Sequence, residues 1–235
     1  MSRNWNTDGC IMPGIDDIQR KKLREDIQSQ LFGGIERGSG DVGLKKYQPN
    51  KKDWEQTMLY NRSLEAFPEQ EAMMNMVFQS VPENTPEYRS WVKMKVALVN
   101  LLYNANVKTI YYDALVENII NPTVAQQIIN GNVDAVSEIA NVSANGKVSY
   151  LYSFATKYCS FSNPLHYPIY DRRVAYILQH YMKGNLSANS YYRKIRDYQA
   201  YKEQIDLFRQ KYGLESCSYK EVDRYLWLLS KHLFK

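Results

Sequence analysis

The stretch that decides the fold covers residues 149–178 and reads SYLYSFATKYCSFSNPLHYPIYDRRVAYIL. It begins with a helical segment that carries Lys157, crosses two Xaa-Pro pairs, and enters a second helix at Asp171. A residue before proline avoids helical geometry, so the two pairs predict an extended crossing between the helices. The stretch therefore places a candidate nucleophile and a candidate carboxylate partner in one helix, loop and helix.

Two conformations of residues 147–161 fit this sequence. In one continuous helix, the apolar face points inward and Lys157 points into solvent. In the other, the chain turns at residues 153–155 and a second helix begins near Thr156, which places Lys157 in its first turn. A cation there opposes the helix dipole. The second conformation therefore favours a functional role for Lys157 and turns its side chain inward.

Asp171 stands where the second helix begins, followed by Val174, Ile177 and Leu178 at helical spacing. Aspartate is one of the preferred N-cap residues, so capping alone explains its presence. Capping is also compatible with catalysis, because a carboxylate held by helix N–H groups stays ionised.

The chain around this stretch predicts an all-α fold. Start signals of the cap-and-proline or capping-box type occur at three places: Thr85 with Pro86, Asn121 with Pro122, and Ser218 with Glu221. Residues 187–212 predict one long helix, and we find no strand pattern and no repeat. We expect a single compact multi-helix domain at residues 53–235. Residues 1–52 are expected to form an N-terminal arm and linker, with a Gly-rich and charged loop at residues 33–52.

Composition sets the protein class. A chain of 235 residues that is 44% hydrophobic can fill a sizeable core. It lacks an apolar run of the roughly 18 residues that a membrane-spanning helix needs, and its first residues contain no leader, so we expect a cytoplasmic protein without a membrane partner. The three cysteines and three histidines follow no metal-ligand spacing, and we therefore expect neither a metal nor a cofactor.

Basic residues are concentrated in the last part of the chain. Residues 143–235 contain 15 basic and 7 acidic side chains, a net charge of +8. Such a surplus attracts an anionic partner, with a solvated basic face as the alternative. Several of the twenty tyrosines lie among basic residues at 190–202. This arrangement suits stacking on nucleic-acid bases, and it equally suits helix packing.

The segments SFATK and PIYDRRV resemble the helix-hairpin-helix DNA glycosylase superfamily. Its 8-oxoguanine members carry a hairpin of the form G-V-G-x-K and a V-P-V-D turn that opens the next helix. Residues 153–157 match the hairpin and its lysine, and residues 167–171 match the turn and its aspartate. Ser153 and Ala155 stand at the positions of the hairpin glycines, and Asp171 lies 14 positions after Lys157.

The resemblance implies base-excision repair without a cofactor. A damaged base is flipped into a pocket, Lys157 attacks the sugar C1′ and forms a Schiff base, and elimination then nicks the strand as an AP lyase does. Asp171 stabilises the positive charge that develops on the sugar. The implied partner is damaged or abasic duplex DNA, with contacts from Ser153, Ala155, Lys147, Arg172, Arg173, Arg193, Lys194 and Arg196.

Two other functions fit the same residues. The chain is then either a helical nucleic-acid-binding protein that kept the scaffold and the basic face without the chemistry, or a protein-interaction module. In the last case Lys157 is exposed and Asp171 only caps its helix.

Overall fold

A computed structural model describes residues 17–62, 66–79 and 85–234. These residues form one mostly helical domain, which confirms the predicted all-α class. In the described ranges, no helix has the length and apolar character needed to cross a membrane. The helices are α1 Asp17–Gln30, α2 Gly40–Lys46, α3 Lys51–Arg62, α4 Ala66–Gln79, α5 Tyr88–Leu102, α6 Tyr112–Ile120, α7 Pro122–Asn130, α8 Asp134–Ala140, α9 Tyr152–Ser162, α10 Arg172–Met182, α11 Ala188–Lys194, α12 Tyr198–Lys211 and α13 Tyr219–Leu233.

A short β-hairpin precedes α9. Strands β1 Asn141–Ala144 and β2 Lys147–Tyr150 pair antiparallel, with Ala144 opposite Lys147. The two turn residues, Asn145 and Gly146, have φ values of 51° and 71°, as a two-residue hairpin turn requires. The sequence-based expectation of no strands is therefore wrong here, and the Asn-Gly pair is the local signal for the hairpin.

Two of the predicted helix starts are confirmed. Asn121 caps α7 by accepting a hydrogen bond from Thr123 N, and Ser218 and Glu221 form the capping box of α13. Two predictions are wrong. Helix α5 begins at Tyr88 rather than at the Thr85–Pro86 pair, and residues 187–212 form two helices because Asp197 caps α12 separately.

The predicted loop at residues 33–52 is part of the packed domain. It contains α2 and the start of α3, and its side chains Leu44 and Tyr47 are buried. The Tyr47 hydroxyl donates to Asp53 Oδ2 at 2.7 Å and lies 2.5 Å from the Tyr225 hydroxyl of α13. The packing therefore continues across the predicted boundary at residue 53. The beginning of the predicted arm, residues 1–16, lies outside the described residues.

Buried tyrosines hold the crossing between α9 and α10. Tyr198 and Tyr201 of α12 donate their hydroxyls to Pro168 O at 2.9 Å and to Ile169 O at 2.6 Å. The Tyr167 hydroxyl, within the crossing, lies 2.7 Å from Asn132 O and 3.0 Å from Gln127 O, two main-chain acceptors in and just after α7. Backbone carbonyls buried away from water need such partners. Tyr198 and Tyr201, which lie among basic residues in the sequence, therefore serve helix packing and not base stacking.

Replacement of Tyr201 by phenylalanine tests whether its hydroxyl stabilises the crossing between α9 and α10. We expect Tyr201→Phe to lower the free energy of unfolding by about 1–3 kcal/mol, because it leaves the buried Ile169 carbonyl without its donor. Tyr150→Phe is the matched control, since Tyr150 is exposed, and its expected change is within about 0.5 kcal/mol. Urea unfolding measures both, and equal losses in the two variants would contradict the interpretation.

Candidate functional site

Helix α9 carries Lys157 inward, although neither predicted conformation of residues 147–161 is correct. Residues 147–150 belong to β2, the chain turns at Leu151, and α9 begins at Tyr152. Residues 153–155 are helical, so the predicted turn at that place is wrong and Lys157 lies in the second turn of α9. The Lys157 residue is only 6% exposed. The hairpin before α9 therefore sets the direction in which Lys157 points.

Three hydrogen bonds connect Lys157 and the first turn of α9 to the crossing. Lys157 Nζ donates to Ser153 Oγ at 2.9 Å, and Ser153 Oγ donates to Tyr170 O at 3.1 Å. Tyr170 N donates in turn to Thr156 Oγ1 at 3.1 Å. Both main-chain groups of Tyr170 are thus bound to α9. Because Tyr170 directly precedes Asp171, these bonds fix the start of α10 relative to Lys157.

Asp171 is the N-cap of α10, as predicted. Its Oδ1 accepts hydrogen bonds from Arg173 N at 2.7 Å and from Val174 N at 3.4 Å. The Asp171 charge also acts on Lys157. Burial lowers the pKa of Lys157, and the charges of Asp171 and Asp223 partly oppose that lowering. Among the described residues, Lys157 forms no direct ion pair with either carboxylate. The two carboxylates therefore act on the amine from a distance and not by direct contact.

Helix α13 supplies two further charged groups, Lys220 and Asp223, which sequence reasoning missed. Burial raises the pKa of Asp223 to about 8, and the charge of Asp171 acts in the same direction. Burial lowers the pKa of Lys220 to about 8. We call Lys157, Asp171, Lys220 and Asp223 the Lys157 cluster. No local signal marks the two α13 residues, since both stand beside the apolar stripe of α13 as solvated charges commonly do.

Lys220 is held by contacts with two other helices. Its Nζ lies 4.1 Å from the ring centroid of Phe161 in α9, and 3.5 Å from both Glu71 Oε1 and Asn75 Oδ1 in α4. Glu71 also pairs with Arg224. These contacts join α4, α9 and α13 on one side of the Lys157 cluster.

The predicted DNA contacts divide into exposed and buried residues. Arg172 and Arg196 both act electrostatically on Tyr170, which places them near Asp171. In contrast, Ala155 is fully buried and Ser153 is half-buried within α9. Both residues lie within α9 and not in the hairpin from which their DNA contacts were predicted. The six basic candidates are all exposed: Lys147, Arg172, Arg173, Arg193, Lys194 and Arg196.

Two other features of the described chain lie apart from the cluster. A cavity of about 270 Å³ beside α9 is lined by Phe78, Lys95 and Tyr158 among others, but not by Lys157 or Asp171. Within the described ranges, no three His, Cys, Asp or Glu side chains are grouped so that they hold a metal ion.

Comparison with known proteins identifies the family. The model of the N-terminal domain named HI_0787_N matches residues 44–166, just over half of the chain. The chain belongs to the HI_0787 family. The match to the HI_0787 domain includes Ser153 and Lys157 and ends before Asp171, so the Lys157 cluster combines residues inside and outside the matched segment.

A protein of Haemophilus influenzae named "Uncharacterized protein" is 34% identical over 139 residues. The alignment covers 59% of this chain and 66% of the relative, so the chain spans slightly less than two thirds of that relative's length. No solved structure matches this member of the HI_0787 family.

Two substitutions of Asp171 distinguish its role as the N-cap of α10 from the effect of its charge. Asp171→Ala is expected to lower the free energy of unfolding by about 1 kcal/mol, because the N–H groups of Arg173 and Val174 lose their acceptor. Asp171→Asn keeps a side-chain oxygen and is expected to retain most of that stability. Urea unfolding measures the difference, and equal losses would show that the charge rather than the cap stabilises α10.

Asp223 should make stability depend on pH. Its folded-state pKa of about 8 lies above the ordinary value of 3.8, so between these values the folded state holds a proton that the unfolded state has released. This contribution to stability is complete below pH 3.8 and is lost as the pH rises through 8. We therefore expect Asp223→Asn to gain stability relative to the parent protein between about pH 4 and pH 8.

Urea unfolding at several pH values in that window measures this difference. Asp113→Asn is a suitable control, because the partner Lys93 lowers the Asp113 pKa below 3.8, so the contribution of Asp113 to stability changes mainly below this pH window. If the free energies of unfolding of Asp223→Asn and the parent protein differ by the same amount at every pH in this window, the raised pKa of Asp223 is contradicted.

Proposed function

We propose that this protein is a DNA base-excision repair glycosylase with AP lyase activity, which acts through a Schiff base on Lys157. The observation that carries the proposal is the inward direction of Lys157. Its amine is buried, its pKa is lowered by burial, and it lies within electrostatic range of the capped Asp171 carboxylate. A buried lysine with a lowered pKa is the form in which this side chain acts as a nucleophile.

In the proposed reaction, neutral Lys157 attacks C1′ of a flipped nucleotide. The new N–C1′ bond replaces the glycosidic bond, whose electron pair leaves with the base, and the amine loses a proton. Opening of the sugar ring gives the Schiff base, from which elimination breaks the 3′ C–O bond. Asp171 stabilises the positive charge on the sugar, and its N-cap hydrogen bonds hold the carboxylate at the start of α10.

Exposed basic residues support DNA as the partner. Arg172 and Arg173 occupy the first turn of α10, next to Asp171, and Arg196 acts on the neighbouring Tyr170. Phosphate contacts of this kind position a duplex without reading its sequence. The proposal places the protein in the cytoplasm, and it makes DNA affinity fall with rising salt concentration.

Trapping with borohydride tests the proposal. Duplex DNA that carries 8-oxoguanine or an abasic site is incubated with the protein, and borohydride reduces any Schiff base to a stable adduct. We expect an adduct with the parent protein and a loss of about 100-fold or more in Lys157→Gln. Lys93→Gln is the matched control, because Lys93 is an exposed lysine of α5 that pairs with Asp113. Circular dichroism checks that both variants fold.

The other outcomes distinguish the alternative functions. Absence of an adduct together with salt-sensitive DNA binding would support a non-catalytic nucleic-acid-binding protein that uses the exposed basic residues. Absence of both would support a protein-interaction module.

A further inference from the structure

Asp223 of α13 and Lys157 of α9 lie in helices that touch within one turn of both residues. Lys220 of α13 contacts Phe161 of α9, with 4.1 Å between Nζ and the ring centroid. Phe161 lies one turn after Lys157 on the same face of α9, and Asp223 lies one turn after Lys220 on the same face of α13. The contact between Lys220 and Phe161 therefore joins the neighbouring turns that carry Asp223 and Lys157, and the charges of these two residues act on each other.

One oxygen of the buried Asp223 carboxyl group has no hydrogen-bond partner among the described residues. Its Oδ1 is buried, and no hydrogen-bond donor of the described residues reaches it. A buried carboxyl oxygen without a donor costs stability. Such a cost is typical of groups that act on a ligand or on a reactive neighbour.

We propose that Asp223 is a positioning residue of the Lys157 site, whose ionised carboxylate keeps the proton on the Lys157 amine. The catalytic role of Asp223 rests on the proposed function, but the electrostatic coupling between Asp223 and Lys157 does not depend on any substrate. When Asp223 is neutral, this attraction is absent and the amine loses its proton more readily. When Asp223 ionises, the attraction opposes formation of the nucleophilic amine.

The charges around the pair come from several elements. Lys157 faces Asp171 and Asp223. Asp223 faces Lys157 of α9, Asp171 at the start of α10, Tyr201 of α12, Lys220 of α13 and Tyr103 just after α5. Asp171 and Asp223 repel each other, which favours the neutral form of Asp223, whereas the two lysines favour its ionised form. The protonation of Asp223 is therefore balanced between opposing neighbours.

This balance sets the pH range of the effect. The Asp223 pKa of about 8 means that the carboxyl group is mostly neutral at neutral pH and ionises just above it. Burial lowers the pKa of Lys157, so its amine loses the proton at a lower pH than an exposed lysine does. Asp223 thus restrains the reactivity of Lys157 on the alkaline side.

NMR titration of the protein labelled with ¹³C at the lysine ε carbons tests the inference without DNA. Lys157→Gln identifies the Lys157 resonance. We expect Asp223→Asn to lower the pKa of Lys157 by on the order of one pH unit, a tenfold change in the ratio of neutral to charged amine. Asp113→Asn removes an exposed carboxylate that interacts with Lys93 and Arg89, and it should leave the Lys157 pKa unchanged. An unchanged or raised Lys157 pKa in Asp223→Asn would overturn the inference.

The coupling must be reciprocal. Lys157→Gln removes a charge that lowers the Asp223 pKa, so ¹³C titration of the Asp223 carboxyl carbon should show a higher pKa in that variant. A purely structural role of Asp223 predicts no such shift, and its absence would overturn the inference.

The borohydride assay tests whether Asp223 affects catalysis. If the parent protein forms the adduct, the alkaline rise in adduct formation should move to lower pH in Asp223→Asn by the shift that NMR measures, and an unmoved pH profile would overturn the catalytic role. If the parent protein forms no adduct, the proposed function fails, while the two titrations still decide whether Asp223 controls the protonation of Lys157.

Discussion

The site depends on how the backbone just before Asp171 is held. Hydroxyl groups in the first turn of α9 bind both main-chain groups of Tyr170, and tyrosine hydroxyls of α12 bind the two carbonyls before it. A proline-containing crossing cannot satisfy its buried backbone through a helix or a sheet, so side chains must do so. These bonds fix the cap of α10 against the helix that carries Lys157.

The electrostatics of the Lys157 cluster differ from those of a stabilising ion pair. A buried lysine in direct contact with a carboxylate would keep both groups charged, at a desolvation cost that such pairs seldom recover. Here Lys157 donates to a neutral serine, and the carboxylates act from a distance. Burial therefore makes the amine less basic and Asp223 less acidic. Opposite shifts of this kind within one cluster are more typical of functional sites than of structural ones.

The family match and the resemblance cover different parts of the cluster. The HI_0787 domain includes α9 with Lys157 but ends before Asp171. The resemblance to DNA glycosylases selects Lys157 and Asp171 together, although a β-hairpin and a turn at Leu151 precede the lysine helix in place of the helical hairpin. Ser153 stands at a glycine position of that motif. Its hydroxyl connects Lys157 to the crossing, a bond that glycine cannot form.

The sequence by itself determined the all-α class and the helix starts at Asn121, Asp171 and Ser218, because capping depends on residues a few positions apart. It also selected Lys157, but it left the direction of that side chain open between two conformations. Only the tertiary structure decided that direction, through the turn at Leu151, and only the tertiary structure added Asp223. Burial of a charge on one helix is set by the helices that pack against it, and no local pattern encodes those neighbours.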